Sequence, residues 1–350
     1  MLSDLVAAIL DRFGQDAAVA SGGRPQPESV RAVHIGHRWL GRAVLVLFRH
    51  RDRSPWLVVK IDRYPPYAER LHREHAALTH LAREDAVRGL VPAPVGILER
   101  PTGTALVQSG VAGSPLTAVL RRRGRHWPRA ARRDHDAVYR WFEWLHESST
   151  ARSGDSPVTI DLGGLGDDLM AILPAELTRT TFVRDLASRA VSLGAFPVPT
   201  GGVHGDPGPS NLLRHRRRGP LRVIDWEGYT APHHQLVDAV LFLNHYARAT
   251  PGADGKLPTR RDAIHRAFLA DDDLGRLSRA TWHRLLADRG APEDTADLLV
   301  IRTALDLATG RAPSAHGDRG PAMWTDLLTQ LVRAATSSPT AWRTAWPPRT

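Results

Sequence analysis

One stretch, residues 203–227, constrains this chain more than any other, and it reads Val-His-Gly-Asp-Pro-Gly-Pro-Ser-Asn-Leu-Leu before a basic turn. Asn211 comes five residues after Asp206, and the turn-forming residues between them favour a rigid loop. A short apolar strand then ends at Asp225. Two ordinary turns flanking a hairpin would use the same residue types. The full combination instead favours kinase-type phosphoryl transfer, in which one Asp orients a hydroxyl while an Asn and a second Asp hold Mg²⁺.

A second polar position, Lys60, ends a predicted strand. Only Lys60 and Lys256 are lysine, so that 47 − 2 = 45 of the basic residues are arginine. Lys60 lies within Leu-Val-Val-Lys-Ile, which matches the Val-Ala-Ile-Lys pattern of a phosphate-binding lysine. A lysine that keeps an edge strand soluble is the alternative. Glu74, beside the apolar stripe of the next helix, is the predicted ion-pair partner, and Glu69 is its competitor.

The stretch at residues 203–227 resembles the catalytic and metal-binding loops of the aminoglycoside phosphotransferase and choline kinase-like family. Those enzymes have a protein-kinase-like fold and phosphorylate small molecules. Gly205 stands where protein kinases carry Arg, which favours the small-molecule branch. The resemblance covers roughly residues 30–247.

This resemblance implies a role for each polar residue. Asp206 is the catalytic residue that accepts the proton of the acceptor hydroxyl. Asn211 and Asp225 hold Mg²⁺. Lys60, held by Glu74, binds the α- and β-phosphates of ATP, with GTP as the other candidate nucleotide. The preceding His204 orients the loop through a backbone contact.

The segment at residues 106–116 resembles the family's hinge, whose extended backbone hydrogen-bonds the adenine edge. Gln108, Ser109 and Val111 are the corresponding nucleotide-binding positions. Backbone amides around residues 37–42 are expected over the phosphates, although this turn lacks the Gly-x-Gly-x-x-Gly pattern.

The predicted fold class is α+β: a protein-kinase-like, two-lobe fold with a small antiparallel sheet and one main helix in the first lobe. We expect a nucleotide-binding lobe at residues 1–108 and a larger, mostly helical catalytic and acceptor-binding lobe at 109–350. The two kinase-like lobes are what the resemblance implies, and period-two and period-3.6 hydrophobic patterns place the individual strands and helices. The predicted strands span residues 30–35, 43–48, 56–61, 91–98 and 104–109, and the main helix spans 68–83.

Two helices of the second lobe matter for the site. Asp134 is expected to cap a helix that ends near His146. A helix over residues 235–247 has an apolar face and carries Asp238 at its start. Asp238 resembles the family's buried acid that braces the catalytic loop, although any acid near a helix N-terminus is an equally good explanation.

Composition limits the other possibilities. The chain has 350 residues and a formal net charge of +10, but its basic residues are scattered and lack interleaved aromatics, so we expect no nucleic-acid partner. The absence of cysteine excludes disulfides and thiolate sites. No signal peptide or membrane-spanning run is evident, so we expect a cytoplasmic protein, with a monomer as the default state.

The acceptor is predicted only as a hydroxylated small molecule: an aminoglycoside-like antibiotic, a sugar or an amino alcohol. A catalytically weak pseudokinase or a nucleotide-binding regulatory protein is the alternative. Carboxylates could anchor a cationic acceptor. The candidates are Asp155, Asp161, Asp167, Asp168, Glu176, Glu227 and residues 271–273.

Overall fold

The computed structural model describes residues 2–20, 23, 29–36, 42–62, 64–84, 89–124, 127–153, 157–215, 219–252, 254–312 and 320–346. The expected phosphate-covering turn therefore lies almost wholly outside the described residues, as does Asp155. The chain divides into two compact units. The first comprises Met1–Pro115 and Asn211–Tyr229, and the second Leu116–Ser210 and Thr230–Thr350. The predicted lobe boundary after residue 108 stays a prediction.

The first unit is built on a five-stranded sheet in the order β1-β2-β3-β5-β4. Every neighbouring pair in it is antiparallel, as predicted. The strands are β1 (Val30–Gly36), β2 (Arg42–Arg49), β3 (Leu57–Asp62), β4 (Pro94–Arg100) and β5 (Gly103–Ser109).

Helix α1 (Leu2–Ala20) packs on one face of this sheet. Its buried residues Ile9, Phe13 and Ala17 recur every four positions and so form a single stripe. A side-chain Cβ at Gly96 of β4 would lie 2.4 Å from the Phe13 ring, so only glycine leaves room for the ring. Burying Phe13 contributes about 2 kcal/mol.

Helix α2 (Pro65–Leu81) supplies the partner of Lys60 from the sheet. A separate three-stranded sheet, in the order β11-β10-β6, completes the first unit. Its strands are β6 (Ser114–Pro115), β10 (Leu212–Arg214) and β11 (Leu221–Val223).

The second unit is mostly helical. Two short antiparallel pairs join β7 (Val158–Asp161) to β8 (Ala195–Val198) and β9 (Gly201–Val203) to β12 (Thr230–His233). Its helices are α3 (Leu116–Arg123), α4 (Pro128–Ser153), α5 (Leu165–Ile172), α6 (Ala175–Thr178), α7 (Thr181–Leu193), α8 (Leu236–Ala249), α9 (Arg260–Phe268), α10 (Asp273–Asp288), α11 (Ala296–Ala308), α12 (Gly320–Ser337) and α13 (Pro339–Ala345).

The prediction that Asp134 caps a helix is wrong. Asp134 lies inside α4, fully buried, where Arg123 donates to it at 2.5 Å and the Tyr246 hydroxyl at 2.9 Å. The helix instead begins at Pro128. Proline is favoured at this first position because its missing N–H has no helical partner there.

Helix α8 also differs from expectation. Most of its residues are buried, rather than those of one face, because α3, α9, α10 and α11 all pack against it. Within the described residues, no helix combines the length and apolar content needed to cross a membrane.

Candidate active site

Lys60 lies at the centre of a buried charged cluster in the first unit. Alternate residues of β3 point to opposite faces, so Lys60 faces away from the apolar core that Leu57 and Val59 enter. Its Nζ lies 2.6 Å from both carboxylate oxygens of Glu74 and also donates to Asp225 Oδ1. One ammonium group therefore joins the sheet, helix α2 and the loop after β11.

The predicted ion pair between Lys60 and Glu74 is confirmed, while the competitor Glu69 contacts Arg73 at 3.5 Å. Burial lowers the pKa of Lys60, but the carboxylates of Asp225 and Glu74 outweigh it, and the pKa lies above its ordinary value. Burial also raises the pKa of Glu74, against the effect of the lysine charge. The ammonium is thus held in its charged form despite its burial.

Asn211 and Asp225 lie at the same end of the hairpin formed by β10 and β11. Leu212 pairs with Val223, and beyond that pair the Ile224 N–H donates to the Asn211 carbonyl at 3.0 Å. Asp225 adopts φ 71° and ψ 61°, in the left-handed region that few residues other than glycine occupy. Such a conformation persists only where its surroundings hold it, and Lys60 is one of the groups that hold it.

A second charged group continues the cluster. The Arg42 guanidinium donates to both carboxylate oxygens of Asp62, each at 3.1 Å, and its Nη1 lies 2.8 Å from Glu227 Oε2. Burial, and then the charge of Asp225, raises the pKa of Glu227. Arg42, the first residue of β2, therefore links the turn after Asp225 to Asp62, the last residue of β3.

The cluster offers oxygen donors for a divalent cation. One carboxylate oxygen from each of Glu74, Asp225 and Glu227 lies within 4.8 Å of the others. Hard cations such as Mg²⁺ prefer carboxylate and carbonyl oxygens, so this donor set fits Mg²⁺. The side chain of Asn211 is buried beside the same hairpin end.

The expected hinge residues differ in their backbone pairing. Gln108 and Ser109 end β5, and the Ser109 N–H already donates to the Ala93 carbonyl at 2.9 Å. The Gly110 N–H donates to the Trp56 carbonyl at 2.8 Å. Within the described residues, the Val111 backbone makes no hydrogen bond, so its N–H and C=O can meet an external partner.

In the second unit, Asp238 braces the loop that carries Asp206. Its two carboxylate oxygens accept the backbone N–H of His204 at 2.7 Å and of Gly205 at 2.9 Å. Gly205 has φ 82°, which glycine adopts without steric cost. These two contacts show that Asp238 holds the loop and is more than an acid near a helix N-terminus.

Asp238 is fully buried, and burial raises its pKa to about 7, although the two backbone donors act in the opposite direction. His204 Nδ1 accepts the Asp206 N–H at 3.1 Å, the local backbone contact expected of His204. The Asp206 side chain retains 19% exposure. The backbone of the loop is therefore held by buried groups, while the Asp206 carboxylate stays partly accessible.

A further layer supports the strand that leads into this loop. The Gln235 amide donates to the Gly202 carbonyl at 3.1 Å, and its oxygen accepts from Arg289 at 2.8 Å. Arg289, itself buried, also lies 2.8 Å from Glu143. This chain of contacts runs from the residue after α10 to β9 and ends two residues before His204.

Most described acids proposed as anchors for a cationic acceptor already have partners. Arg302 and Arg311 both bind Asp168, and Glu227 binds Arg42. The remaining contacts are Asp161 with the Gly163 N–H, Glu176 with Arg333, Asp271 and Asp273 with Arg276, and Asp272 with the Gly275 N–H. Each of these seven acids therefore already makes a contact within the chain.

Sequence reasoning missed the contact between Arg42 and Asp62, which are paired across β2 and β3. The signal was the opposite charge of two residues at the ends of adjacent predicted strands. The pairing could not be predicted, because the strand pattern alone does not give the register between two strands.

Comparison with solved structures places the fold. The GDP complex of aminoglycoside 2′-phosphotransferase-IIIa is similar with a TM-score of 0.52 and 16% identity, over 95% of this chain and 98% of that one. A Plasmodium vivax ethanolamine kinase gives a TM-score of 0.43 and 12% identity, over 99% and 91% of the two chains. Aminoglycoside phosphotransferase APH(3″)-Id from Streptomyces rimosus gives 0.41 and 18%, over 86% and 98%.

The first of these similarities confirms the predicted α+β, protein-kinase-like fold. No curated protein matches the sequence. The model of the phosphotransferase enzyme family matches residues 33–278, which is more than half of the chain. The chain therefore belongs to the phosphotransferase enzyme family.

Proposed function

We propose that this phosphotransferase moves the terminal phosphate of ATP or GTP to a hydroxyl group of a small molecule. The observation that carries the proposal is the buried ammonium of Lys60, held between Glu74 and Asp225. Burying a charged lysine between two acids costs desolvation free energy, and binding of an anionic ligand is a functional reason to keep the charge there. The phosphates of a nucleotide are such anions, and a phosphotransferase takes its phosphoryl group from them.

Lys60 would hold α- and β-phosphate oxygens while Glu74 keeps its side chain extended. Val111 would offer its backbone N–H and C=O to the purine, and Gln108 and Ser109 would shape that position from the end of β5. GTP belongs beside ATP as a candidate, because the aminoglycoside 2′-phosphotransferase-IIIa structure is a GDP complex.

Asn211 and Asp225 would hold Mg²⁺, which supplies charge neutralisation at the phosphates when it is bound. The left-handed backbone of Asp225 sets the direction of its Cα–Cβ bond, and the contact with Lys60 holds its carboxylate. Glu227 contributes negative charge beside it and is itself held by Arg42.

Asp206 would accept a hydrogen bond from the acceptor hydroxyl. The hydroxyl oxygen forms a bond to the γ-phosphorus, the bond from that phosphorus to the bridging oxygen breaks, and the nucleoside diphosphate leaves with the electron pair. The hydroxyl proton passes to Asp206. Because charge accumulates late in such a transfer, positioning of the hydroxyl matters more than basicity.

The test is a phosphorylation screen by mass spectrometry, with purified protein, Mg²⁺ and ATP or GTP. The acceptor panel contains sugars, amino alcohols, aminoglycosides and other antibiotics. We expect one acceptor to gain a single phosphate, and Asp206→Asn to lower that rate by about 10²- to 10⁴-fold.

Nucleotide binding is measured beside the screen. The wild-type protein should gain about 3 kcal/mol of stability when ATP and Mg²⁺ are present at a hundred times the dissociation constant. Asp206→Asn should retain that gain, because Asp206 is not assigned to the nucleotide. Binding without turnover on any acceptor would favour a nucleotide-binding regulatory protein, and no binding would contradict the roles proposed for Lys60 and Asp225.

A further inference from the structure

His245 lies on α8, two helical turns after Asp238 and therefore on the same side of the helix. Its Nδ1 is 3.4 Å from Asp206 Oδ1, and the two side chains are 15% and 19% exposed. Packing alone does not explain a histidine at this position, because buried helix faces normally carry apolar side chains. It is instead a polar side chain of α8 that reaches the carboxylate of the proposed catalytic residue.

The contact between His245 and Asp206 is confined by the surrounding chain. A Cβ at Gly208 would lie 3.1 Å from His245 Nδ1 and 3.3 Å from Asp206 Oδ1, so any larger residue would press on both groups. The imidazole ring lies 6.0 Å from the buried Trp324 ring of α12. Gly208 lets the loop that carries Asp206 approach His245. The Trp324 ring limits the positions that the imidazole can take.

We propose that His245 is a positioning residue for Asp206, an inference that rests on the proposed phosphotransferase function. The Nδ1–H of His245 donates to Oδ1 and fixes the carboxylate. The second oxygen, Oδ2, is then turned toward the acceptor hydroxyl and receives its proton during transfer. The distance of 3.4 Å is long for a hydrogen bond, and such contacts commonly shorten when substrate binds.

Two substitutions of His245, to asparagine and to alanine, distinguish the loss of its hydrogen-bond donor from the loss of its side-chain volume. The side-chain amide nitrogen of Asn lies close to the position of Nδ1, so His245→Asn keeps a donor toward Asp206, whereas His245→Ala removes it. Loss of one hydrogen bond to a charged group corresponds to about 10- to 100-fold in rate. We expect His245→Ala to lower kcat by that factor with little change in either KM, and His245→Asn to recover most of it.

The exposed His265 of α9 provides the matched control, since His265→Ala should leave both kcat and KM unchanged. If His245→Asn is as slow as His245→Ala, donation from this position is not what matters, and the proposal is wrong. If the loss appears in the KM of the acceptor instead of kcat, His245 binds the acceptor and does not position Asp206.

A measurement that needs no turnover keeps this inference distinct from the proposed function. Nitrogen-15 NMR of the histidine rings in the wild-type protein, assigned with His245→Asn, reports which ring nitrogen carries the proton. We expect a protonated Nδ1 whose resonance moves in Asp206→Asn. An unprotonated Nδ1 would overturn the positioning role even if phosphorylation is observed, and failure of the screen would leave this result interpretable.

Discussion

The proposed metal ligand Asp225 and the proposed catalytic residue Asp206 are held in different ways. Asp225 of the first unit is held through its own carboxylate, which accepts from Lys60, and its neighbours Glu74 and Glu227 are held by cations as well. Asp206 of the second unit is held mainly through its loop backbone, because the buried carboxylate of Asp238 accepts two N–H groups just before it.

This difference separates ligand binding from scaffolding. In the first unit, the groups that maintain the structure are those proposed to meet phosphates and metal, so a ligand must exchange partners with them. In the second unit, Asp238 or Gly205 can be substituted without removing Asp206 itself. Substitutions in the first cluster should therefore change nucleotide affinity as well as stability, whereas substitutions behind the second should change stability or rate but not nucleotide affinity.

Lys60→Met should have the largest effect on stability. It leaves the acids around Lys60 without a buried cation, and removing one partner of a buried pair costs about 3–5 kcal/mol. Chemical denaturation with and without ATP and Mg²⁺ should show both this loss and the absence of stabilisation by nucleotide. A variant as stable as the wild type would show that the ion pair contributes nothing to folding.

The chain offers a matched control, because its second lysine, Lys256, is exposed and lies 4.0 Å from Asp254. Lys256→Met should stay within about 0.5 kcal/mol of the wild type. Adding Glu74→Gln to Lys60→Met should recover part of the lost stability, since it removes one uncompensated acid. No recovery would mean that the acids do not repel one another.

The first cluster was partly predictable because its signals are local. Strand alternation and helix periodicity placed Lys60 and Glu74 on facing surfaces, and the hairpin pattern placed Asn211 beside Asp225. Arg42 was different: nothing in a single sequence selects it from 45 arginines as the partner of both Asp62 and Glu227. That choice depends on strand register and on a contact across 185 residues of sequence (227 − 42).

The second region was less predictable for another reason. The position of Asp238 was suggestive, but two backbone N–H groups carry no side-chain signature. His245 could have been found, because it lies seven residues after Asp238 and helical residues at that spacing share a face. The sequence pattern marked only the apolar face of this helix, and it did not show that the other side is covered as well.

The burial of Asp238 also predicts a pH dependence of stability in the second region. The pKa of Asp238 is about 7 in the folded protein and about 3.9 in the unfolded chain. Between these values the folded state holds a proton that the unfolded state has released, so its contribution to stability falls as pH rises. The loss is about 1.4 kcal/mol per pH unit, and about 4 kcal/mol in all.

Asp238→Asn isolates this contribution, because other titrating groups cancel in the difference between the two proteins. The unfolding free energy of the wild type minus that of the variant should fall steadily from pH 4 to pH 7. A difference independent of pH would show that Asp238 ionises normally, with its two backbone donors offsetting burial completely.

Gly205→Ala should have the smallest effect and tests whether the loop can fail while Asp206 remains. Gly205 has φ 82°, and alanine in the left-handed region costs about 1 kcal/mol. Gly255, in the loop between α8 and α9, has φ 78°, and a Cβ added there would meet no atom within 4 Å. Thermal unfolding should register a similar loss for Gly205→Ala and Gly255→Ala, whereas only Gly205→Ala should lower kcat, because its strain falls on the N–H groups that Asp238 holds. Equal rates for the two variants would mean that the position of Asp206 tolerates movement of its loop, and the contrast between the two regions would then concern stability alone.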